Sequence, residues 1–243
     1  MKLVLAHFKA DMLELLRYPA FSVPTLVFPT LFFSFFVVPG AIDADPNALM
    51  AFYAAFAVLG VAFFQFGVSI ANDRISAWNL YLRTLPIGPG TRFPARVLSA
   101  LQLSLASAGL VVVVALIATP AALAPGRWVE LAAVILVGSI PFALLGIAIG
   151  YWLRPKGALP VANVLYLFLA FAGGLWTGPA DLPDAIAAIS PYLPTRQWAD
   201  LLFGAVTAAP SPPRAWLALT LYTVVFFLLA ARGYRRDEGE RFR

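Results

Sequence analysis

The sequence contains no cysteine and only one histidine, His7. Disulfides, thiolate metal sites and cysteine nucleophiles are therefore excluded, as are a histidine-based metal cluster and a catalytic triad. Charge is also scarce: 12% of the 243 residues are charged, whereas 61% are hydrophobic. A soluble domain typically has about 25% charged and about 45–50% apolar residues, so the mean hydropathy of +0.85 indicates a chain that folds in lipid.

Several catalytic patterns are missing too. The sequence has no G-x-x-x-x-G-K-[ST] phosphate loop, so ATP hydrolysis would require another chain. It has no HExxH or GxSxG motif, and its carboxylates lie near or outside the ends of the long apolar segments, whereas proton relays usually need acidic or histidine side chains within the bilayer. We therefore expect a chain that is not an enzyme and binds no cofactor or metal itself.

The spaces between charged residues predict an all-α membrane protein. Six gaps are long enough for a membrane-spanning helix, whereas two shorter apolar segments within 185–213 are not. The predicted spans are about 20–40, 48–70, 97–119, 130–152, 158–178 and 214–231. No internal repeat is evident, so these spans form one membrane domain, 19–231.

The basic residues predict the orientation of the spans. All but three of the 17 lysines and arginines fall on the side of the two termini, the exceptions being Arg127, Arg196 and Arg214. By the positive-inside rule, both termini are cytoplasmic in the plasma membrane. The net charge of +5 is thus a topological signal rather than a sign of nucleic-acid binding.

Polar segments flank the membrane domain. Residues 1–18 have the spacing of an amphipathic helix, with Leu5, Phe8 and Met12 on one face, and we expect this helix to lie in the headgroup plane. Residues 232–243 form a cytoplasmic tail that looks too polar to pack, and we expect a partly disordered anchor to anionic lipid.

Two loops have helical character. In the loop after the second span, Ile75, Trp78, Leu82 and Leu85 form an apolar stripe that LPIGPG ends, so this helix is either an interfacial spacer or a docking element for a soluble partner. The loop before the last span predicts a re-entrant outer pair of short helices, the second capped by Thr195. The alternative is an ordered outer loop that does not enter the bilayer.

These features together resemble the permease subunit of type-2 ATP-binding cassette exporters. The resemblance rests on the six spans, the amphipathic helix before the first, Asp73 and Arg74 opening a loop that ends in LRTLP, and the GLW…DLPDAI…PYLP stretch before the last span. It implies a separate ATPase subunit that binds ATP and Mg, and a second permease copy in a homodimer. It also implies that the loop after the second span is a coupling helix, for which we predict Trp78 as the buried anchor and Asp73, Arg74 and Arg83 as polar contacts.

We predict that the substrate passes between the two copies, along the second and fifth spans. An amide gains little by facing lipid, so Gln65 and Asn163 should face protein or a water-accessible seam, although they could merely tie helices together within one subunit. The predicted path residues are Phe64, Gln65, Asn163, Tyr166, Phe168 and Trp176. A hydrophobic or amphiphilic substrate fits this lining, but a polysaccharide permease of the same type and a non-transporting assembly protein are alternatives.

Overall fold

A computed structural model describes residues 2–17, 19–40, 45–77 and 89–240. No residue within these ranges lies in a β-strand, so the predicted all-α fold is confirmed for the described part of the chain. We number the helices α1 Lys2–Arg17, α2 Pro19–Phe36, α3 Pro46–Asp73, α4 Pro89–Ala118, α5 Pro125–Trp152, α6 Pro155–Ala172, α7 Asp184–Ile189, α8 Pro194–Thr207 and α9 Pro213–Glu240.

Five of these helices, α3, α4, α5, α6 and α9, are long and apolar enough to cross a membrane. They correspond to the second to sixth predicted spans. The first predicted span corresponds to α2, in which the apolar stretch Val23–Phe36 is shorter than the others. The chain is therefore a multi-helix membrane protein, while the count of six spans stays a prediction.

Proline marks where the long helices begin. All the helices named above except α1 and α7 start at a proline, whose fixed φ suits the first helical turn and whose missing N–H would have no helical partner there. Asp45 adds a side-chain cap at the start of α3, where its Oδ1 accepts hydrogen bonds from the backbone N–H groups of Asn47 (2.7 Å) and Ala48 (3.2 Å).

Helix α3 lies at the centre of the bundle. Every residue from 48 to 63 is buried, and α3 packs against α2, α4, α5, α6 and α8. A helix that is apolar all round can be enclosed by other helices or by lipid, and α3 is enclosed by helices. The position of α3 means that it shares a surface with each helix of the candidate site described below.

A hydrogen bond between helices compensates for a proline inside α2. Pro29 has no N–H, so the carbonyl of Thr25 loses its usual helical donor. The fully buried Ser107 of α4 points its hydroxyl at this position, 3.3 Å from the Thr25 oxygen and 3.1 Å from the Leu26 oxygen. Ser107 therefore forms a hydrogen bond between the helices and holds α2 against α4.

Helix α3 changes to a π-helix over Ala62–Val68, which we call the π segment. The π segment packs against α5 at two glycines one turn apart, Gly146 and Gly150. A Cβ at Gly146 would collide with the Ala62 carbonyl oxygen, and one at Gly150 would lie 2.8 Å from that of Phe66. These glycines therefore allow the two backbones to approach closely, as small residues do in membrane helix pairs.

Helix α8 is short but deeply buried among α3, α5 and α9. Trp198 is fully buried, stacks on Phe142 and donates a hydrogen bond from its Nε1 to the carbonyl of Val134 at 3.0 Å. Gly138 leaves the space that this indole fills. The structure thus shows two short helices, α7 and α8, where the sequence predicts them; their re-entry into a bilayer stays a prediction.

The structure corrects the predicted role of Thr195. Its hydroxyl does not cap α8 but donates to the carbonyl of Leu169 in α6 at 2.6 Å, while Leu193 occupies the N-cap position of α8. Thr195 fits there because Gly173, which has no side chain, lies directly against it. The next residue, Gly174, adopts φ +80°, a left-handed conformation that turns the chain away from the end of α6.

The structure also corrects the prediction of an unpacked tail after residue 231. Helix α9 continues to Glu240, and both Gly233 and Asp237 are buried. Asp237 forms an ion pair with Arg74, and Gly233 lies against the indole of Trp152. The polar composition of this segment did not reveal that its charges and its glycine have specific partners on other helices.

Candidate functional site

A groove of about 280 Å³ lies between α2, α3 and α6. Its surface is mainly apolar, and Thr25, Asn163 and Tyr166 bring hydroxyl and amide groups to it. Gly60 makes room for Tyr166, because a Cβ at this position would lie 3.1 Å from the phenol oxygen. The lining residues are Pro24, Thr25, Phe28, Gly60, Phe64, Leu159, Asn163, Tyr166 and Leu167.

Aromatic rings line one end of this groove and continue beyond it. Tyr166 stacks on Phe56 with 4.6 Å between ring centroids and lies edge-on to Phe64 at 5.6 Å. The rings continue towards the end of α2 and the start of α3, with 4.5 Å between Phe28 and Phe32 and 5.4 Å between Phe32 and Trp176. We call this set the aromatic column; its members are Phe28, Phe32, Phe56, Phe64, Tyr166 and Trp176.

The groove brings together three of the predicted path residues, Phe64, Asn163 and Tyr166. Trp176 lies at the far end of the aromatic column, where it contacts Phe32 and Phe56. Phe168 lies outside the groove on the surface of α6, with 42% of its surface exposed. The predicted set is therefore only partly assembled in one place within this subunit.

Gln65 occupies a different environment from Asn163. It is buried within the π segment, and its side-chain oxygen has no hydrogen-bond partner in the described part of the chain. Asn163 is exposed and lines the groove. π-Helical turns often occur at functional sites. Burying an amide oxygen without a hydrogen-bond partner costs free energy of folding. Gln65 is thus not one of the residues that line the groove.

Sequence reasoning missed the contribution of α2 to this site. Pro24, Thr25 and Phe28 form one wall of the groove, although the predicted path contained only residues of the second and fifth spans. A signal was present: Pro24 and Pro29 interrupt an apolar helix and flank Thr25 and Phe28. Gly60 was missed because its importance comes from a contact with Tyr166, more than 100 residues away in the chain.

The loop after α3 starts at a cluster of charged groups. The Arg74 guanidinium donates from Nε to Asp237 at 2.7 Å and from Nη1 to the carbonyls of Gly150 (3.0 Å), Tyr151 (2.9 Å) and Leu153 (3.3 Å). Asp73 forms an ion pair with Arg96 of α4. Both predicted docking residues at the start of this loop therefore have partners within the chain.

The predicted anchor Trp78 and the predicted contact Arg83 lie outside the described residues. The last described residues of the loop continue the turn that ends α3, since Ser76 donates from its hydroxyl to the carbonyl of Asp73 at 3.0 Å. Ile75 is 69% exposed beside it. The docking role of Asp73, Arg74, Trp78 and Arg83 stays a prediction.

The chain is 27% identical over 235 residues to a protein of Bacillus subtilis (strain 168) named "Putative transport permease YvfS". The alignment covers 95% of this chain and 96% of that protein. Fold and similarity together support a membrane transport permease. No protein-family model and no solved structure matches the chain. The similarity extends over nearly the whole length, so it concerns the entire bundle rather than one segment of it.

Proposed function

We propose that this chain is the permease subunit of a type-2 ATP-binding cassette exporter in the plasma membrane, with both termini cytoplasmic. A separate ATPase subunit binds ATP and Mg and supplies the energy. The substrate is a hydrophobic or amphiphilic molecule that moves outward. The observation that carries the proposal is the groove between α2, α3 and α6, which joins an apolar surface to three polar groups.

The groove suits an amphiphile better than a sugar polymer. Its walls are built from aromatic and aliphatic side chains, and the few polar groups come from Thr25, Asn163 and Tyr166. Small-molecule sites typically combine an apolar lining with a few placed polar groups in this way. A polysaccharide would instead need many hydroxyl-binding groups along the wall.

The open side of the groove supports a homodimer. Along this side Leu159 is 48% exposed, Leu167 is 38% exposed and the Asn163 amide is exposed. Lipid would leave that amide without a hydrogen-bond partner, whereas a second copy of the chain would enclose it in a seam between the subunits. The aromatic column would then close the seam at its outer end, and rearrangement of its rings would open it.

One experiment tests the partner and another tests transport. A photoreactive amino acid in place of Ile75 should crosslink to a protein that carries a phosphate loop, whereas the same group in place of Val129, a 73% exposed residue of α5, should not. The purified complex should then move fluorescent amphiphiles across vesicle membranes only with ATP. The proposal fails if no such ATPase is recovered or if no amphiphile in the panel is transported with ATP; transport of labelled polysaccharide alone would contradict the proposed substrate class.

A further inference from the structure

Arg74 connects three helices through one side chain. It lies at the end of α3, it bonds three carbonyls at the end of α5, and it forms an ion pair with Asp237 near the end of α9. Carbonyls at a helix C-terminus lack helical partners, and a cation there also interacts favourably with the helix dipole. The guanidinium is suited to this position because it donates in several directions at once.

The ends of α5 and α9 are also held together by aromatic contacts. The Trp152 indole donates to the carbonyl of Leu229 at 2.9 Å, and Tyr151 lies edge-on to Tyr234 with 5.4 Å between centroids. A Cβ at Gly233 would lie 2.8 Å from the Trp152 Nε1, so a glycine is needed for this approach. Arg74 therefore bonds to a pair of helix ends that are already joined to each other.

A short chain of contacts leads from Arg74 to the groove. Arg74 donates to the carbonyl of Gly150, and Gly150 packs against the backbone of Phe66 in the π segment. Phe64, two residues before Phe66, lines the groove. Static contacts thus connect Arg74 to the groove wall through Gly150 and the π segment.

We propose that Arg74 transmits movement of the loop after α3 to α5 and α9, and that Asp237 is the positioning residue that holds its guanidinium for this task. The inference rests on the proposed function, because the ATPase subunit is what would move the loop. It assigns Gly233, which lies against Trp152, and Asp237, which pairs with Arg74, to the coupling machinery, in place of the lipid anchor that the composition of this segment suggests.

The test uses the complex of the full chain with the ATPase subunit recovered by crosslinking, in lipid nanodiscs. An environment-sensitive fluorophore on Leu167→Cys, in a chain that has no other cysteine, reports on the groove. ATP with vanadate is added to trap the ATPase. The variants are Asp237→Asn, which removes the charge, Arg74→Lys, which keeps the charge but loses the fork of donors, and Arg235→Gln as the matched exposed control.

We expect Asp237→Asn and Arg74→Lys to retain the ATPase subunit and to lose most of the ATP-driven fluorescence change, while Arg235→Gln keeps all of it. Exchanging the charges, with Arg74→Asp and Asp237→Arg together, should not restore the change. An aspartate at position 74 cannot donate to the carbonyls of α5. Restoration by the exchange would show that only the ion pair matters and would overturn the role of the carbonyl contacts.

A structural role alone gives a different result. In that case Asp237→Asn and Arg74→Lys would lower the thermal midpoint of the complex but leave the ATP-driven change intact, and the transmission proposal would be wrong. Absence of the change in the unsubstituted complex would overturn the ATP-driven function itself. If Asp237→Asn does not fold, Arg74→Lys decides, since it keeps a cation beside Asp237.

Discussion

The ring of Tyr166 lies parallel to that of Phe56, with 3° between the ring planes and 4.6 Å between the centroids. This pair joins α6 to the central helix α3 where the groove meets the aromatic column. Parallel, offset rings contribute about 0.5–1.5 kcal/mol beyond their buried area. Substitution can separate two parts of Tyr166: its ring packs on Phe56, and its hydroxyl lies against Gly60, another residue that lines the groove.

We expect Tyr166→Phe to fold as stably as the unsubstituted chain. Tyr166→Leu should lower the free energy of unfolding by about 1 kcal/mol, because leucine keeps the apolar bulk but not the stacked ring. Thermal unfolding in detergent measures this difference. If the hydroxyl contacts substrate, Tyr166→Phe should also raise the substrate concentration needed for half-maximal transport. Equal stability of the leucine variant would contradict the packing role.

Because α3 and α5 approach closely at Gly146, adding one methyl group at this position should lower the stability of the chain. Gly146→Ala should destabilise the chain by about 1–3 kcal/mol, since its Cβ would strike the Ala62 carbonyl oxygen. Gly109→Ala is the matched control, because nothing lies within 4 Å of a Cβ there and alanine favours a helix. Unfolding midpoints for the two variants should therefore move in opposite directions.

The hydrogen bond from Trp198 to the Val134 carbonyl should contribute to holding α8 in the bundle. Trp198→Phe keeps a ring next to Phe142 but removes the hydrogen bond to the Val134 carbonyl. We expect the free energy of unfolding to fall by about 1 kcal/mol or more, and part of this decrease comes from the smaller ring. Trp216→Phe changes a 40% exposed indole and should have little effect. Similar unfolding midpoints for both variants would mean that α8 is held by packing alone.

Orientation can be tested by labelling single cysteines. With 14 of the 17 basic residues on the side of the termini, Arg83→Cys should react with an impermeant maleimide only after the membrane is opened, whereas Arg127→Cys should react in intact cells. Labelling of position 83 from outside would reverse the assignment of both termini and of the loop.

The helices could be predicted from composition, whereas their partners could not. Long apolar segments that follow prolines give the positions of α3, α4, α5, α6 and α9. Both signals can be read from a short stretch of sequence, because crossing a bilayer needs about 20 apolar residues and proline favours the first turn of a helix. The burial of α3 on all faces is not visible in its sequence, since an apolar residue suits lipid and protein equally well.

Polar residues were the least predictable part of the candidate site. Asn163 and Gln65 are both amides in apolar helices, yet one is exposed at the groove and the other is buried in the π segment. Arg74 and Asp237 are 163 residues apart, so no local pattern links them. A polar residue at a helix end can face a headgroup, a partner protein or another helix, and only the packing of the bundle distinguishes these.

The most direct test of the groove as the transport path compares two neighbouring positions on α6. Asn163→Cys lines the groove, and Val164→Cys is 66% exposed beside it without lining it. In vesicles containing the complex, a bulky maleimide at position 163 should stop ATP-dependent transport of a fluorescent amphiphile, whereas the same reagent at position 164 should leave it unchanged. Equal transport by the two fully labelled variants would contradict the path proposed here.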